Sequence, residues 1–342
     1  MRVGPSTILR FVYPRYLCSQ ISLITEIRKV RLRSSSFITD FTVNRSVVSA
    51  QFSASAVMSS DPDIARYFEL AKELTLQAGQ MLKCHCEEEK VVHVKDKNDF
   101  VTDFDNDIEK LFFDNLSKEF PNHKIIAEEA AAKMLEMPEL TDAPTWFIDP
   151  IDGTTNFIHS FPEFCISVGL MICKELVLGI IYNPMHSEFY SAIKGKGAFL
   201  NGKPICCSKV TELKEALIGL ETSIALVISV GANKDKYTGR INALVEITQG
   251  VRNIGSAAMA MAYVARGALD SFHLDGLKPW DVAAGTLIIR EAGGVVIDTK
   301  GGEYNVMKPK TIAASNETLA RELSKFIIDI DLKTKRKRLK RT

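Results

Sequence analysis

The 342-residue sequence lacks most of the features that mark a specialised chain. No stretch approaches the roughly 18 consecutive apolar residues of a membrane-spanning helix, so no helical span is expected. No internal repeat is visible. The seven cysteines, at 18, 84, 86, 165, 173, 206 and 207, contain no Cys-x-x-Cys spacing. A disulfide framework is therefore not expected, and Cys84-His85-Cys86 has no second pair to complete a zinc site. A reduced, intracellular chain is the simpler reading. Charge of one sign is also missing: 43 Lys+Arg stand against 42 Asp+Glu, a net of +1. That balance argues against a nucleic-acid partner. What is present is ordinary: 46% hydrophobic and 25% charged residues, the balance of a soluble globular chain with a real core.

The near-neutral sum hides an uneven distribution. Residues 1–57 hold eight Lys/Arg, ten serines and only Glu26 and Asp40 as acids. This basic, Ser-rich extension has the composition of a transit peptide, which gives a mitochondrial alternative to a cytoplasmic protein. A disordered start with Met58 as the initiator is the competing reading, and either way the segment is expected outside the fold. Residues 329–342 form a basic tail, with seven Lys/Arg among the nine residues 333–341, also expected to be disordered. The body between the ends, residues 58–332, has 28 basic and 40 acidic residues, a net of −12. A catalytic domain is placed at 58–328.

Within the body, Asp61-Pro62 reads as the N-cap and first residue of a long amphipathic helix. Val91 to Val94 suggests a short strand, and Lys95 to Asp99 a mobile turn. Thr102 or Asp103 can cap a second helix, with Ile108, Leu111, Phe112 and Leu116 on its core face and Pro121 as its stop. Strand-like runs follow at 124–127, 145–149, 164–173, 176–182 and 188–193. Helical patterns near 232–249, 255–266, 280–292 and 316–328 then alternate with strands at 216–222, 268–273, 294–298 and 311–314. The alternation predicts a layered α/β fold.

The strongest local signal is Trp146-Phe147-Ile148-Asp149-Pro150-Ile151-Asp152-Gly153-Thr154-Thr155-Asn156. An apolar strand runs out into two acids three residues apart, where α/β sheets bind ligands. Two such acids raise each other's pKa unless a cation lies between them. A hard divalent ion resolves the conflict, and Mg²⁺ suits carboxylates plus a substrate phosphate. The turn amides and the Thr154 and Thr155 hydroxyls could hold that phosphate. Other acids stand at comparable points: Glu128 and Glu129 after a strand, Asp105 and Asp281 in first helical turns. Singly, Asp105 and Asp281 read as helix-start stabilisation worth about 0.3–1 kcal/mol. Gly255-Ser256-Ala257-Ala258 opens a helix with small residues, which suits either a ligand against backbone amides or close helix packing.

These strings together resemble the inositol monophosphatase family of Mg-dependent, lithium-sensitive phosphatases. The resemblance rests on Ala127-Glu128-Glu129, on Asp149 to Phe157, and on Trp280-Asp281-Val282-Ala283-Ala284-Gly285 through Glu291-Ala292-Gly293-Gly294. It runs in order from about Met58 to about Ile328. The run Ile158-His159-Ser160-Phe161-Pro162 points to the inositol-monophosphate branch. The resemblance implies an αβαβα sandwich and a homodimer. It implies that Glu128, Asp149 and the carbonyl of Ile151 hold one metal, and that Asp149, Asp152 and Asp281 hold a second. Asp105 with Thr154 matches the pair that orients the attacking water. Asp152, Gly153, Thr154, Gly255, Ser256 and Ala257 match substrate contacts, and Lys95 matches a lysine on a mobile loop near the metals.

Two positions depart from the family pattern at the sugar end. A glutamate that contacts inositol hydroxyls falls on Leu274, with Asp275 beside it as candidate substitute, and a frequent histidine is Lys278. The implied reaction is Mg-dependent hydrolysis of a small phosphorylated polyol, myo-inositol monophosphate. The alternatives are a bisphosphate nucleotide or another sugar phosphate, or a non-enzymatic binder whose basic tail docks on nucleic acid or anionic membrane.

Overall fold

The computed structural model describes residues 8–11, 62–86, 88, 90–96, 99–134, 136–222 and 232–339. Five layers alternate as helix, sheet, helix, sheet, helix, so the expected αβαβα sandwich is observed. The first helix layer is formed by Pro62–His85 and Asp103–Glu119. It covers a seven-stranded sheet of β4 (Lys124–Ala127), β5 (Thr145–Asp152), β6 (Cys165–Ile172), β7 (Glu175–Asn183), β8 (Glu188–Ile193), β9 (Ala198–Leu200) and β10 (Lys203–Ile205). Its strand order is β10-β9-β8-β7-β6-β5-β4, antiparallel except for the parallel pair β4–β5. Helices Ala257–Ala265 and Pro279–Glu291 form the middle layer. The second sheet has order β12-β11-β13-β15-β14, from β11 (Leu217–Leu220), β12 (Gly250–Arg252), β13 (Ser271–Asp275), β14 (Val295–Asp298) and β15 (Lys310–Ala314). Helices Ala232–Ile247 and Glu317–Leu339 close the far side.

The sequence explains this layering. A sheet covered on both faces needs strands that are apolar nearly throughout, and Cys165–Ile172 is such a run, its one hydroxyl, Ser167, donating to the Trp280 carbonyl at 3.0 Å. In β5, Trp146, Phe147 and Ile148 are fully buried and face alternate sides, each burial worth about 1.5–3 kcal/mol. The middle helix Pro279–Glu291 lies directly on β6 and β7 at Gly169 and Gly179, which are register partners. A Cβ on Gly169 would stand 2.8 Å from Ala283 Cβ, and one on Gly179 2.7 Å from the Ala284 carbonyl. Two glycines therefore set how closely this helix approaches the sheet.

Three expectations are corrected. The basic tail is helical: Glu317–Leu339 runs past residue 328 without a break. Leu319, Leu323 and Ile327 dock it on the second sheet, Thr334 lies against Gly239, and helix propagation then costs little. Cations in its last turn also suit the helix C-terminus. Lys95, Asp96 and Asp99 belong to strands, since β2 (Lys90–Asp96) pairs antiparallel with β3 (Asp99–Thr102), while residues 97–98 of the expected turn lie outside the described residues. Finally, the extension is not wholly outside the fold, because Ile8–Phe11 forms a strand β1 antiparallel to the free edge of β2. The rest of residues 1–57, with Met58, the Asp61 cap and the Lys95 side chain, lies outside the described residues. Among the described residues, no helix is long and apolar enough to cross a membrane.

Candidate active site

The acidic motif sits where β5 breaks its pairing. The ladder with β6 is regular to Asp149, opposite Ser167, and shifts before Asp152, opposite Cys165. Pro150 has no N–H for the ladder, and the irregularity turns the chain there. In a regular strand, residues three apart face opposite sides; here the shift aims Asp149 and Asp152 at one place. Asp149 Oδ1 accepts the Ile151 amide at 3.1 Å, and the Thr154 hydroxyl donates to the Ile151 carbonyl at 3.0 Å. Gly153 follows at φ +93°, where a Cβ would press to 3.0 Å on the Glu163 carbonyl and 3.1 Å on that of Gly255. Only glycine lets this turn lie against the start of helix Ala257–Ala265.

That helix start holds Asp152. Its Oδ2 accepts the Ala258 amide at 2.7 Å and the Ser256 hydroxyl, while Ser256 Oγ in turn accepts the Met259 amide at 3.2 Å. Asp281 arrives on helix Pro279–Glu291, where its Oδ2 accepts the Lys278 amide at 2.8 Å. One carboxylate oxygen from each of Asp149, Asp152 and Asp281 lies within 4.8 Å of the others. Glu128 begins the short helix after β4, whose Ala127 is the register partner of Ile148, so it stands next to Asp149 in the sheet.

Asp105 completes the set from helix Asp103–Glu119. Its Oδ2 accepts the Thr102 amide at 2.7 Å and the Thr102 hydroxyl at 2.6 Å. Its Oδ1 is buried with no hydrogen-bond partner. Burial, and then repulsion from Glu128 and Glu129, push the Asp105 pKa up to about 8 against the pull of the Thr102 bonds. Asp149 and Asp281 are raised well above the usual carboxylate range, first by burial and then by the neighbouring acids. Asp152 is raised by burial despite the Ser256 and Ala258 bonds. Clustered acids that resist ionisation, all oxygen donors, with one orphaned buried oxygen nearby, fit a hard divalent cation.

The structure thus gathers Asp149, Asp152, Asp281, Ile151, Thr154, Gly153, Ser256 and Ala257, with the carboxyl groups of Glu128 and Asp105 close enough to raise the pKa of Asp149. It does not hydrogen-bond Asp105 to Thr154: the hydroxyl on Asp105 is Thr102's. Nor is Asp275 free to replace a substrate glutamate, since it accepts hydrogen bonds from Arg240 at 2.8 Å and from Thr299 at 2.5 Å. Leu274 is buried. Glu221 is absent from the residues expected at the site, yet it roots the loop before Ser256, accepting the Gly255 amide at 2.8 Å and the Ile254 amide at 3.2 Å. Burial pushes its pKa up to about 8. The signal was there: an acid directly after an apolar strand, as with Glu128. Cys165 was also missed; its thiol is buried 3.9 Å from Asp152 Oδ2 and 3.7 Å from Ser256 Oγ.

Residues 63–328 match the model of the inositol monophosphatase family. The chain is 41% identical over 268 residues to inositol monophosphatase 3 of Solanum lycopersicum, covering 77% of this chain and 96% of that one. Its fold is similar to the Thermotoga maritima IMPase, with a TM-score of 0.69, 31% identity, and 79% and 99% of the two chains covered. It is also similar to inositol monophosphate bound SaIMPase-II, with a TM-score of 0.66, 26% identity, and 81% and 100% covered.

Proposed function

The chain belongs to the inositol monophosphatase family and hydrolyses phosphate monoesters, and on that premise we propose that Mg²⁺ serves its acidic cleft, with myo-inositol monophosphate as the principal substrate. The observation that carries this reading is the convergence of Asp149, Asp152 and Asp281 within 4.8 Å. Asp149, Asp152 and Asp281 would hold one ion; Glu128, Asp149 and the Ile151 carbonyl would hold the other. Bound there, Mg²⁺ supplies Lewis acidity, neutralising charge on the phosphate and leaving oxygens and making water more acidic.

The chain's own residues do the rest. We assign to Asp105 the acceptance of a hydrogen from the attacking water, supported by its buried Oδ1 having no hydrogen-bond partner, with the Thr154 hydroxyl as second orienting group. Water oxygen bonds to phosphorus as the phosphorus–inositol oxygen bond breaks, and the leaving oxygen takes up a proton. Gly153, Thr154 and the Gly255–Ala257 helix start form the substrate wall. Ser256 also holds Asp152 in place.

A second substrate is favoured by a specific observation. SaIMPase-II has been seen with 2′AMP as well as with inositol monophosphate, while at the sugar end Leu274 stands where a carboxylate is expected and Lys278 puts an ammonium in place of an imidazole. Phosphate release from inositol 1-phosphate, a 3′,5′-bisphosphonucleoside and fructose 1,6-bisphosphate, with and without Mg²⁺, tests the order of preference. Calorimetry of Mg²⁺ binding to Asp149→Asn tests the ligand set independently of turnover. We further place the protein in the cytoplasm as a homodimer, by family resemblance, with residues 1–57 as the reason to test mitochondria. Light scattering and cell fractionation check these two points.

A further inference from the structure

Behind the substrate side of the cleft lies a buried charge cluster that the proposed reaction does not use. Strands β11 and β13 are parallel neighbours with Leu220 opposite His273, so Glu221, just past the end of β11, stands beside Leu274 of β13. A small void is lined there by Leu220, Glu221, Tyr237, Arg240, His273 and Leu274. Arg240, from helix Ala232–Ile247, is 3% exposed. Its Nη1 donates to Asp275 Oδ2 at 2.8 Å and lies 2.9 Å from His273 Nε2. His273 Nδ1 is 2.9 Å from the Thr311 carbonyl, which assigns the ring proton to Nδ1 and leaves Nε2 to accept from Arg240. On its other edge the guanidinium makes a bidentate pair with Asp331 of the C-terminal helix, Nε to Oδ1 at 2.8 Å and Nη2 to Oδ2 at 2.7 Å. Lys236 Nζ stands 3.7 Å from Asp275 and 3.6 Å from Asp331, so two cations face two anions.

Asp275 is the last residue of β13, and the chain turns at once through Gly276 at φ +89°. Two residues later the Lys278 amide is tied to Asp281. The segment between Leu274 and Asp281 is thus pinned at both ends, at one of them by Arg240. Glu221, beside the same void, roots the Gly255 loop. A cluster kept only for stability gains little here, because well-packed apolar residues do as well in a buried position. A satisfied polar network instead fixes one geometry. Lys236 lies between the same two carboxylates but at 3.7 and 3.6 Å, whereas the planar fork of Arg240 hydrogen-bonds both, at 2.8 Å to Asp275 and at 2.8 and 2.7 Å to Asp331.

We propose that Arg240 is a positioning residue for the substrate-side wall: through Asp275 it holds the 276–278 loop in register with the carboxylate cluster, and through Asp331 it links that register to docking of the C-terminal helix. The proposal rests on the reaction assigned above only for its kinetic consequence. In full-length Arg240→Met, hydrogen exchange over 276–281 is expected to rise about tenfold while β5–β7 keep their protection. KM is expected to rise about fivefold with kcat at saturating Mg²⁺ and substrate held within about threefold, and Arg240→Lys to fall between. A lower melting temperature with exchange over 276–281 and KM both unchanged overturns the proposal. If Arg240→Met does not fold, Asp275→Asn, which keeps the shape and removes the charge, carries the same expectations. If the wild type releases no phosphate from inositol monophosphate, the reaction assignment fails, while the exchange result still decides the role of Arg240.

Discussion

Asp105 and Asp281 occupy the same position in two different helices and use it in the same way. Each is the third residue of its helix, and each spends one oxygen on the amide just before the first turn, at 2.7 Å for Thr102 and 2.8 Å for Lys278. A helix-start bond therefore orients each carboxylate: Asp105 keeps a buried oxygen free of hydrogen bonds, and an Asp281 oxygen joins those of Asp149 and Asp152. The helix-start bond and the role proposed for each acid thus share one arrangement: the bond at the helix start is what orients the acid.

This dual use separates two effects of mutating Asp105. Asp105→Asn keeps an oxygen for the Thr102 amide but gives up a proton acceptor. Turnover is expected to fall by about 10²–10⁴, the usual worth of a positioned base. Stability should change by no more than the roughly 1 kcal/mol of a helix cap. Steady-state kinetics beside thermal melting checks both, and near-wild-type kcat would remove Asp105 from the reaction.

Stability without metal should fall as pH rises. Asp105 has a folded pKa of about 8, and Asp149 and Asp281 are raised as well, against about 3.9 unfolded. The folded state thus holds protons that the unfolded state releases. The stability they confer is full below pH 4 or so and is lost as pH climbs through about 8. The Mg²⁺ proposed for this cluster would replace those protons, so its stabilising increment should be larger at pH 8 than at pH 5. Melting curves at the two pH values, with and without Mg²⁺, test this. Asp149→Asn should melt roughly 2–4 °C higher than wild type in the metal-free state at pH 8, through relieved repulsion, yet be inactive. An equal Mg²⁺ increment at both pH values would count against the coupling.

The approach of helix Pro279–Glu291 to the sheet can be tested from both sides. Gly169→Ala places a methyl 2.8 Å from Ala283 Cβ and should cost about 1–3 kcal/mol as overpacking. Because that helix carries Asp281, the Mg²⁺ concentration for half-maximal activity should rise as well. Ala283→Gly removes the opposing methyl, so the double variant should recover much of both losses. A double-mutant cycle by denaturant unfolding measures the coupling, and additive effects would mean the two sites do not press on each other.

Much of this was legible because the chemistry is contiguous or sits at a helix start. Asp149 to Thr154 announces itself as acids leaving an apolar strand, and the alternation of the second half pointed to a layered α/β fold, while the order of the five layers came from the family resemblance. Three kinds of information were hidden. The β5 irregularity aims Asp149 and Asp152 together, and only the register with β6 reveals it. Partners such as Arg240 and Asp331, 91 residues apart, leave no local pattern. The basic end read as solvated tail because its charge is local, whereas the docking of Leu319, Leu323 and Ile327 that extends the helix is tertiary.

Ser256 offers the sharpest test of how the helix start serves the metal cluster. Its hydroxyl donates to Asp152 while accepting the Met259 amide, so it caps the helix and fixes the carboxylate with one atom. Ser256→Ala loses both and should cost about 1 kcal/mol of stability as a lost cap. Asp152 retains the Ala258 amide at 2.7 Å, so the carboxylate should stay in the cleft but with freer rotation. The expected signature is a several-fold higher Mg²⁺ requirement, in the range of about 10-fold for a lost ligand-orienting bond, with a smaller change in kcat at saturating Mg²⁺. Ser256→Thr keeps the oxygen and should stay close to wild type in both. If Ser256→Ala instead lowered kcat at saturating Mg²⁺ while leaving the metal requirement untouched, the hydroxyl would act on the substrate and not through Asp152.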